Sequence, residues 1–422
     1  MTTRVTRFVL YVLLASCTKP QPPTPPAAEC LPPVAGRPIQ LETDSTFPIG
    51  PAVTYVSQSS ATIMFEAEER CEGRVRWSEA GQGLSATAPT TLAEREVVHT
   101  AKLEGLRPGI RHEYQVEACG KTSRVLSFFS APPPRTPVRF GVLGDNRSFP
   151  EDAKRVARAL AQMGPDFIVH TGDVVTDGNK IPEWREQFYE PMRSLISSVP
   201  TYIAIGNHEE NAKPFYEYTS YPYDPIMTDH AQFGSNFSVT YGNVFLLFVD
   251  TNSLSFLLSV ALDTDLAKWI QAQVASEAAK RATWRVAVGH HPAFTESWSP
   301  GACDRYSGTP PVLGFLFPLM EKHGFQLYLT GHTHAYERGE KRGVTQIISG
   351  GGGAALDEVC RDLPETAVVV PEYHYLEVDA GCDKLRVRAV SVPPDAGAAG
   401  STVAPAVSRV LDELSFEPRA AF

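Results

Sequence analysis

The sequence predicts an α/β domain preceded by an all-β sandwich, and three observations carry that reading. Over residues 46–131 apolar and polar residues alternate, as in Arg74-Val75-Arg76-Trp77 and Tyr114-Gln115-Val116-Glu117, with turn residues between the runs and no helical period. From Val138 onward, short apolar runs alternate with stretches of helical spacing, the order that builds an α/β domain. Between the two, Ala131-Pro132-Pro133-Pro134-Arg135-Thr136-Pro137 breaks local structure and reads as a linker. A chain of 422 residues has room for both units and a sizeable core.

The first element is a short apolar run, Phe8 to Ala15, preceded by Arg4 and Arg7 and followed by Ser16-Cys17. It is too short to span a bilayer and suits an export signal. Leu14-Ala15-Ser16-Cys17 resembles a bacterial lipobox. That resemblance implies a signal peptide over residues 1–17, lipidation of Cys17, and a place in the bacterial cell envelope, periplasmic or at the surface, with membrane contact through the lipid anchor alone. Residues 18–45 are rich in proline and alanine, with Pro22-Pro23, Pro25-Pro26 and Pro32-Pro33, and form an extended spacer.

Short strands at this spacing make 46–131 a β-sandwich. Leu106-Arg107-Pro108-Gly109 followed by Tyr114 and Val116 resembles the late part of a fibronectin type III domain, with His112 where that family carries its corner tyrosine. Setting Cys17 aside leaves Cys30, Cys71, Cys119, Cys303, Cys360 and Cys382, an even set that suggests disulfides in an exported chain. Cys71 and Cys119 share the first domain and are expected to pair; the other pairings stay open. No C-x-x-C occurs, so thiolate zinc sites and dithiol redox motifs are unsupported.

In the α/β domain, over residues 138–418, Val138 to Leu143 is a buried strand and Glu151 to Met163 a helix. Phe167 to Val169 is the next strand and Glu183 to Leu195 the next helix. Thr201 to Ile205, Val244 to Val249, Trp284 to Val288 and Leu327 to Leu329 continue the strands, and Leu262 to Lys280 and Val312 to His323 the helices. Leu385 to Val392 and Arg409 to Phe416 form a hairpin split by a Pro/Gly/Ala-rich insert. The net charge of −10 provides no basic excess to displace counterions, which excludes a general nucleic-acid or anionic-membrane binder. It does not exclude anionic substrates, since bound cations reverse a local field.

Five of these strands are followed by a polar cluster opened by glycine. They are Gly144-Asp145-Asn146-Arg147, Gly172-Asp173, Gly206-Asn207-His208-Glu209, Gly289-His290-His291-Pro292 and Gly331-His332-Thr333-His334. In open α/β sheets, sites form outside the carboxyl ends of strands, and a glycine before each polar residue permits the tight turn and close backbone approach that convergence needs. Imidazole is the commonest metal ligand, and carboxylates beside it suit a transition metal.

The order G-D, G-D, G-N-H-E, G-H-x-P, G-H-x-H resembles the calcineurin-like metallophosphoesterases. Gly331-His332-Thr333-His334-Ala335-Tyr336-Glu337-Arg338 with the preceding β domain is similar to the purple acid phosphatases in particular. The resemblance implies an αββα sandwich of two mixed sheets holding two metal ions, of iron, manganese or zinc. It implies that Asp173 bridges both ions, that Asn207, His290 and His332 bind the second, and that Asp145 and His334 bind the first. It implies hydrolysis of a phosphorylated small molecule by a metal-bound hydroxide, with His208 serving the leaving group and Arg147 and His291 contacting phosphate. Phosphomonoesters are the expected substrates; a phosphodiesterase acting on nucleotides or lipid head groups, and a surface binding protein with a degenerate metal site, are the alternatives.

Two departures bear on this. Thr176 stands three residues after Asp173, where purple acid phosphatases have the tyrosine that binds ferric iron, and Asp145-Asn146-Arg147 stands where related enzymes use D-x-H. The first ion then has three evident protein ligands. The tandem histidines that grip substrate in that family are missing from Ser297 to Pro300. The run Phe215, Tyr216, Tyr218, Tyr221, Tyr223 either lines a pocket or packs, Gly350 to Gly353 reads as a flexible turn near the site, and His99, His170, His230, His323 and His374 read as structural. The oligomeric state is not legible.

Overall fold

The computed structural model describes residues 30–33, 43–209, 212–222, 234–257, 264–394 and 408–419. Cys17, all of 1–17, most of the 18–45 spacer, Tyr223 and His230 lie outside them. Among the described residues no helix is long and apolar enough to cross a membrane.

The all-β region is two antiparallel sheets. One orders Ile49–Val56, Ser60–Glu66, Val98–Glu104 and Thr91–Leu92; the other orders Ala86–Pro89, Gly73–Glu79, Arg111–Ala118 and Lys121–Thr122, with Leu126–Phe129 also on Arg111–Ala118. The sequence alternation is the cause: along Arg111–Ala118 every second residue, His112, Tyr114, Val116 and Ala118, is buried. His112 is fully buried on this strand. Its Nδ1 meets Ile110 O at 3.0 Å, and its ring stacks on Phe128 with centroids 5.5 Å apart. Cys71 pairs with Cys119 as expected, and the cysteines left open pair as Cys30–Cys382 and Cys303–Cys360.

The linker does not leave the two regions apart. One cluster of buried side chains runs from Phe47 through Val116 and Val142 to Val392. Across the boundary Tyr114 Oη donates to Ser197 O at 2.7 Å and Tyr202 Oη to Val56 O at 2.8 Å. Arg193 Nη1 donates to Asp44 O at 2.8 Å and Gly50 O at 2.9 Å, and its Nη2 to Pro48 O at 3.0 Å. Hydrogen bonds from a charged group are the strong ones, and a buried carbonyl stripped of its donor keeps its desolvation cost. Arg193→Ala is therefore expected to destabilise the protein by about 3 kcal/mol, read as a lower urea midpoint.

The second region stacks two mixed sheets. Val138–Leu143, Phe167–His170 and Thr201–Ile203 run parallel, and His374–Ala380, Leu385–Ser391 and Val410–Phe416 complete that sheet antiparallel. In the other sheet Val244–Phe248, Trp284–Val288, Leu327–Thr330 and Val344–Ser349 run parallel; Phe237–Tyr241 and Tyr336–Lys341 flank them antiparallel, and Thr366–Val370 pairs antiparallel with Tyr336–Lys341. The Phe167 and Tyr241 rings meet between the sheets at 4.7 Å. Outside, Pro150–Gln162 buries Ala153, Val156, Ala157, Leu160 and Ala161, the i, i+3, i+4, i+7, i+8 stripe of a helix packed on a sheet.

Where elements differ from expectation, a local group accounts for it. The helix expected over Leu262 to Lys280 is two helices, Asp265–Val274 and Glu277–Arg281, and residues 258–263 lie outside the described ones. Thr264 and Ser276 each cap one, accepting from Ala267 N at 3.1 Å and Ala279 N at 3.2 Å. The tyrosine run is in part a helix, Lys213–Thr219, that packs rather than opening a pocket: Tyr218 Oη donates to Glu66 Oε2 at 2.6 Å, and Tyr221 Oη to Thr201 O at 2.9 Å.

Candidate metal centre and active site

Five loops at the carboxyl ends of parallel strands meet between the two sheets. From one sheet Val138–Leu143 delivers Asp145 and Arg147, Phe167–His170 delivers Asp173, and Thr201–Ile203 delivers Asn207 and His208. From the other, Trp284–Val288 delivers His290 and His291, and Leu327–Thr330 delivers His332 and His334. The tight turns fall on the polar residues themselves: φ is +56° at Asp145, +56° at Asp173 and +71° at His332. Non-glycine residues reach this left-handed region at a cost and persist there only when neighbours hold them. Asp145 N donates to Gly172 O at 3.0 Å, and Asp145 O accepts from Ala354 N at 2.8 Å. Of the preceding glycines Gly172 shares the turn, at φ +101°, while Gly144 and Gly331 provide space: a Cβ on Gly144 would overlap Thr171 Oγ1, and one on Gly331 would overlap Asp145 Oδ2. Gly352 N donates to Gly144 O at 2.9 Å, so the Gly350 to Gly353 turn is bound into the site, not free.

Asp145, Asp173 and His290, all buried, offer ligand atoms within 4.8 Å of one another. His290 Nε2 lies 3.3 Å from Asp173 Oδ1, 3.0 Å from Asn207 Oδ1 and 3.2 Å from His332 Nδ1. His334 Nε2 lies 3.7 Å from Asp145 Oδ1, and His332 N donates to both Asp145 oxygens at 3.1 Å. The tautomers follow from the outer bonds. His290 Nδ1 faces Thr171 O at 2.9 Å and His334 Nδ1 faces Ala355 O at 2.6 Å, so each Nδ1 carries a proton and each Nε2 is the nitrogen turned inward, placed to hold a cation or, in its stead, a proton. Lone pairs of imidazole, amide and carboxylate aimed at one small volume repel unless a cation lies among them. A ligand histidine whose other nitrogen is held by a carbonyl is the usual arrangement around a bound metal. The mixed nitrogen and oxygen set fits zinc, manganese or iron better than calcium.

The field agrees. Burial holds Asp145 well above the usual carboxylate range. Burial pulls down on His290, yet Asp173 and Asp145 carry it up to about 9. Burial keeps His332 well below the usual imidazole range and His334 down at about 4, so the positive charge gathers on His290 between the two carboxylates.

Residues 138–336 match the calcineurin-like phosphoesterase family, and residues 44–135 match a domain family of unknown function. The chain carries a calcineurin-like phosphoesterase domain. Acid phosphatase type 7 of Homo sapiens is 25% identical over 310 residues, 69% of this chain and 66% of that protein. The purple acid phosphatase of yellow lupin (Lupinus luteus) shares the fold with a TM-score of 0.69 at 16% identity, over 89% of this chain and 74% of that one. PhoD does so at 0.64 and 11% identity, over 91% of each chain. The chain is thus similar to acid phosphatases, and its domain is of the phosphoric ester hydrolase class.

Within the phosphoesterase domain Arg147 lies across the centre, Nε 3.3 Å from Asp173 Oδ2 and Nη2 3.3 Å from His334 Nε2. His208 Nδ1 faces Thr176 O at 2.6 Å, and Nε2 stands 3.8 Å from Asp173 Oδ2. The His208 side chain is 28% exposed against 1% for Asp173, so it borders the mouth. His291 is turned partly aside: Nδ1 meets Thr251 Oγ1 at 2.8 Å while its ring lies 4.4 Å from His332.

Several residues without a legible role in the sequence also shape the site. Glu209, fully buried, accepts from Asp173 N at 3.0 Å, Val174 N at 2.8 Å and Gly206 N at 2.6 Å, and so holds the Asp173 turn against the Asn207 loop. Its place directly after Asn207-His208 puts it beside the site in sequence but does not show which groups it grips. Asp357 accepts from His334 N at 2.8 Å, and His170 Nε2 meets Asn146 Oδ1 at 2.7 Å, which puts that structural histidine behind the Asp145 loop. Thr176 Oγ1 donates to Gln187 Oε1 at 3.0 Å, which occupies its proton. With no phenolate at this position the purified protein is expected to show no strong charge-transfer absorption in the visible, and a purple sample would contradict this.

Proposed function

We propose that this protein is an exported, dinuclear metal-dependent phosphatase that hydrolyses phosphomonoesters of small molecules. The convergence of Asp145, Asp173, Asn207, His290, His332 and His334 on one volume between the sheets is the observation that supports it. Asp173 would hold both ions, since one carboxylate can offer an oxygen to each; Asn207, His290 and His332 would hold the second, and Asp145 and His334 the first. When bound, such ions polarise phosphoryl oxygens and make water nucleophilic near neutral pH.

The chain's own residues do the rest. Arg147, always charged, takes a non-bridging phosphoryl oxygen in a forked pair. His208, its Nδ1 fixed on Thr176 O, presents Nε2 to the leaving oxygen and donates a proton there. His291 contacts the phosphoryl group from beside His332. The three disulfides among the described residues support folding in an oxidising compartment. The fibronectin-like sandwich serves as a packed accessory module, since its core is continuous with that of the catalytic region.

The test compares turnover of an aryl phosphate monoester with that of the matching diester. Faster monoester hydrolysis is expected; faster diester hydrolysis would move the assignment to a phosphodiesterase. Hydrolysis of neither by metal-loaded protein would leave a surface binding protein.

A further inference from the structure

Trp298 and Tyr306 form an aromatic wall that the reaction above does not use. Their ring centroids lie 4.6 Å apart, and both face the His332 imidazole, at 5.2 Å and 4.8 Å. Both rings are half-buried, as are His332, Asn207 and His208 at the mouth, whereas Asp145, Asp173 and His290 are covered. The wall therefore borders the open side of the centre.

It is also firmly held. Glu337, buried, accepts from Glu296 N at 2.9 Å and Thr295 Oγ1 at 2.9 Å and fixes the segment that carries Trp298. Ser297–Trp298 pairs with Glu358–Val359, and the Cys303–Cys360 disulfide staples the two segments together. Tyr306 Oη meets Thr309 Oγ1 at 2.8 Å, which fixes the second ring. Further apolar surface lies on the paired segment, where Val359 is 52% exposed. A rigid indole loses little entropy on meeting a ligand, and a planar ring laid on it gains stacking that an alkyl group cannot match.

We propose that Trp298, backed by Tyr306, is a specificity-determining residue that stacks the ring of an aryl-bearing phosphomonoester while the phosphoryl group lies among the Asp and His side chains. The inference rests on the phosphatase assignment above and names the class of ester it favours.

The experiment uses metal-loaded full-length protein as wild type, Trp298→Ala and Trp298→Phe. Turnover is measured on phenyl phosphate and ethyl phosphate, and calorimetry follows binding of the non-hydrolysable phenylphosphonate and methylphosphonate. Wild type should favour the phenyl compound in both pairs. Trp298→Ala should raise KM for phenyl phosphate and weaken phenylphosphonate by about tenfold, with kcat and the alkyl values held within about twofold. Trp298→Phe should keep most of the preference, and circular dichroism and Tm of both variants should match wild type. Absence of a phenyl preference in wild type, a preference untouched by Trp298→Ala, or equal weakening of aryl and alkyl compounds (the result for a mere prop of His332) would overturn the proposal. Protein that hydrolyses neither ester but binds phenylphosphonate through Trp298 would refute the phosphatase assignment and leave the stacking subsite standing; protein that does neither refutes both.

Discussion

Asp173→Asn is expected to lower kcat by more than about a hundredfold, the upper end of what is lost when a residue merely supporting a metal ligand is changed. The substitution keeps the shape and removes the charge. Asp173 is 1% exposed and lies within reach of His290, His208 and Arg147, so its negative charge is the central one of the site. A neutral amide there cannot balance two cations in a covered site. The fold should survive, because Asp173 sits at φ +56°, a conformation that asparagine tolerates better than other side chains. The variant should therefore melt normally in metal-free buffer while losing activity and bound metal together. Activity within twofold of wild type would remove Asp173 from the centre, and a grossly unfolded variant would show a structural role instead.

His208→Ala is expected to reduce kcat by about 10²–10⁴-fold for an alkyl phosphate, the range for loss of a positioned acid. For a nitrophenyl ester the loss should be much smaller, since that oxygen leaves without a proton. Metal content should not change, because His208 Nδ1 is held by Thr176 O and Nε2 stands 3.8 Å from Asp173 on the solvent side. Steady-state kinetics on the two esters, with elemental analysis of the variant, reads all three effects. Equal losses on both esters would make His208 a phosphate-binding residue, and loss of metal would make it part of the metal shell.

The fold class was legible because its signals are local. Alternation in 111–118 and the helical stripe of 150–162 each need only a dozen residues of sequence, and the same residues are buried in the structure. The places where chemistry gathers were legible for the same reason: each cluster follows its own apolar strand, and the strands run parallel with their carboxyl ends together. What escaped depends on contacts between distant segments. Glu209 grips backbone N–H groups of Asp173 and Val174 from another loop, and nothing in a Glu after Asn-His reveals that direction. Trp298 and Tyr306 reach His332 only through the fold and the Cys303–Cys360 bridge, whose pairing the spacing left open. The division of the 265–281 helix was a different miss, since Thr264 and Ser276 are ordinary N-cap residues and were readable. The positive φ at Asp145, Asp173 and His332 was not, because sequence suggested that the glycines would take the strain.

Two cations shared by Asp173 are the centre of the proposed chemistry, and anomalous diffraction from crystals of the metal-loaded protein tests that directly. Two peaks about 3.5–4 Å apart are expected, both beside Asp173, one against Asn207, His290 and His332 and the other against Asp145 and His334. A single peak, or peaks away from Asp173, would contradict it.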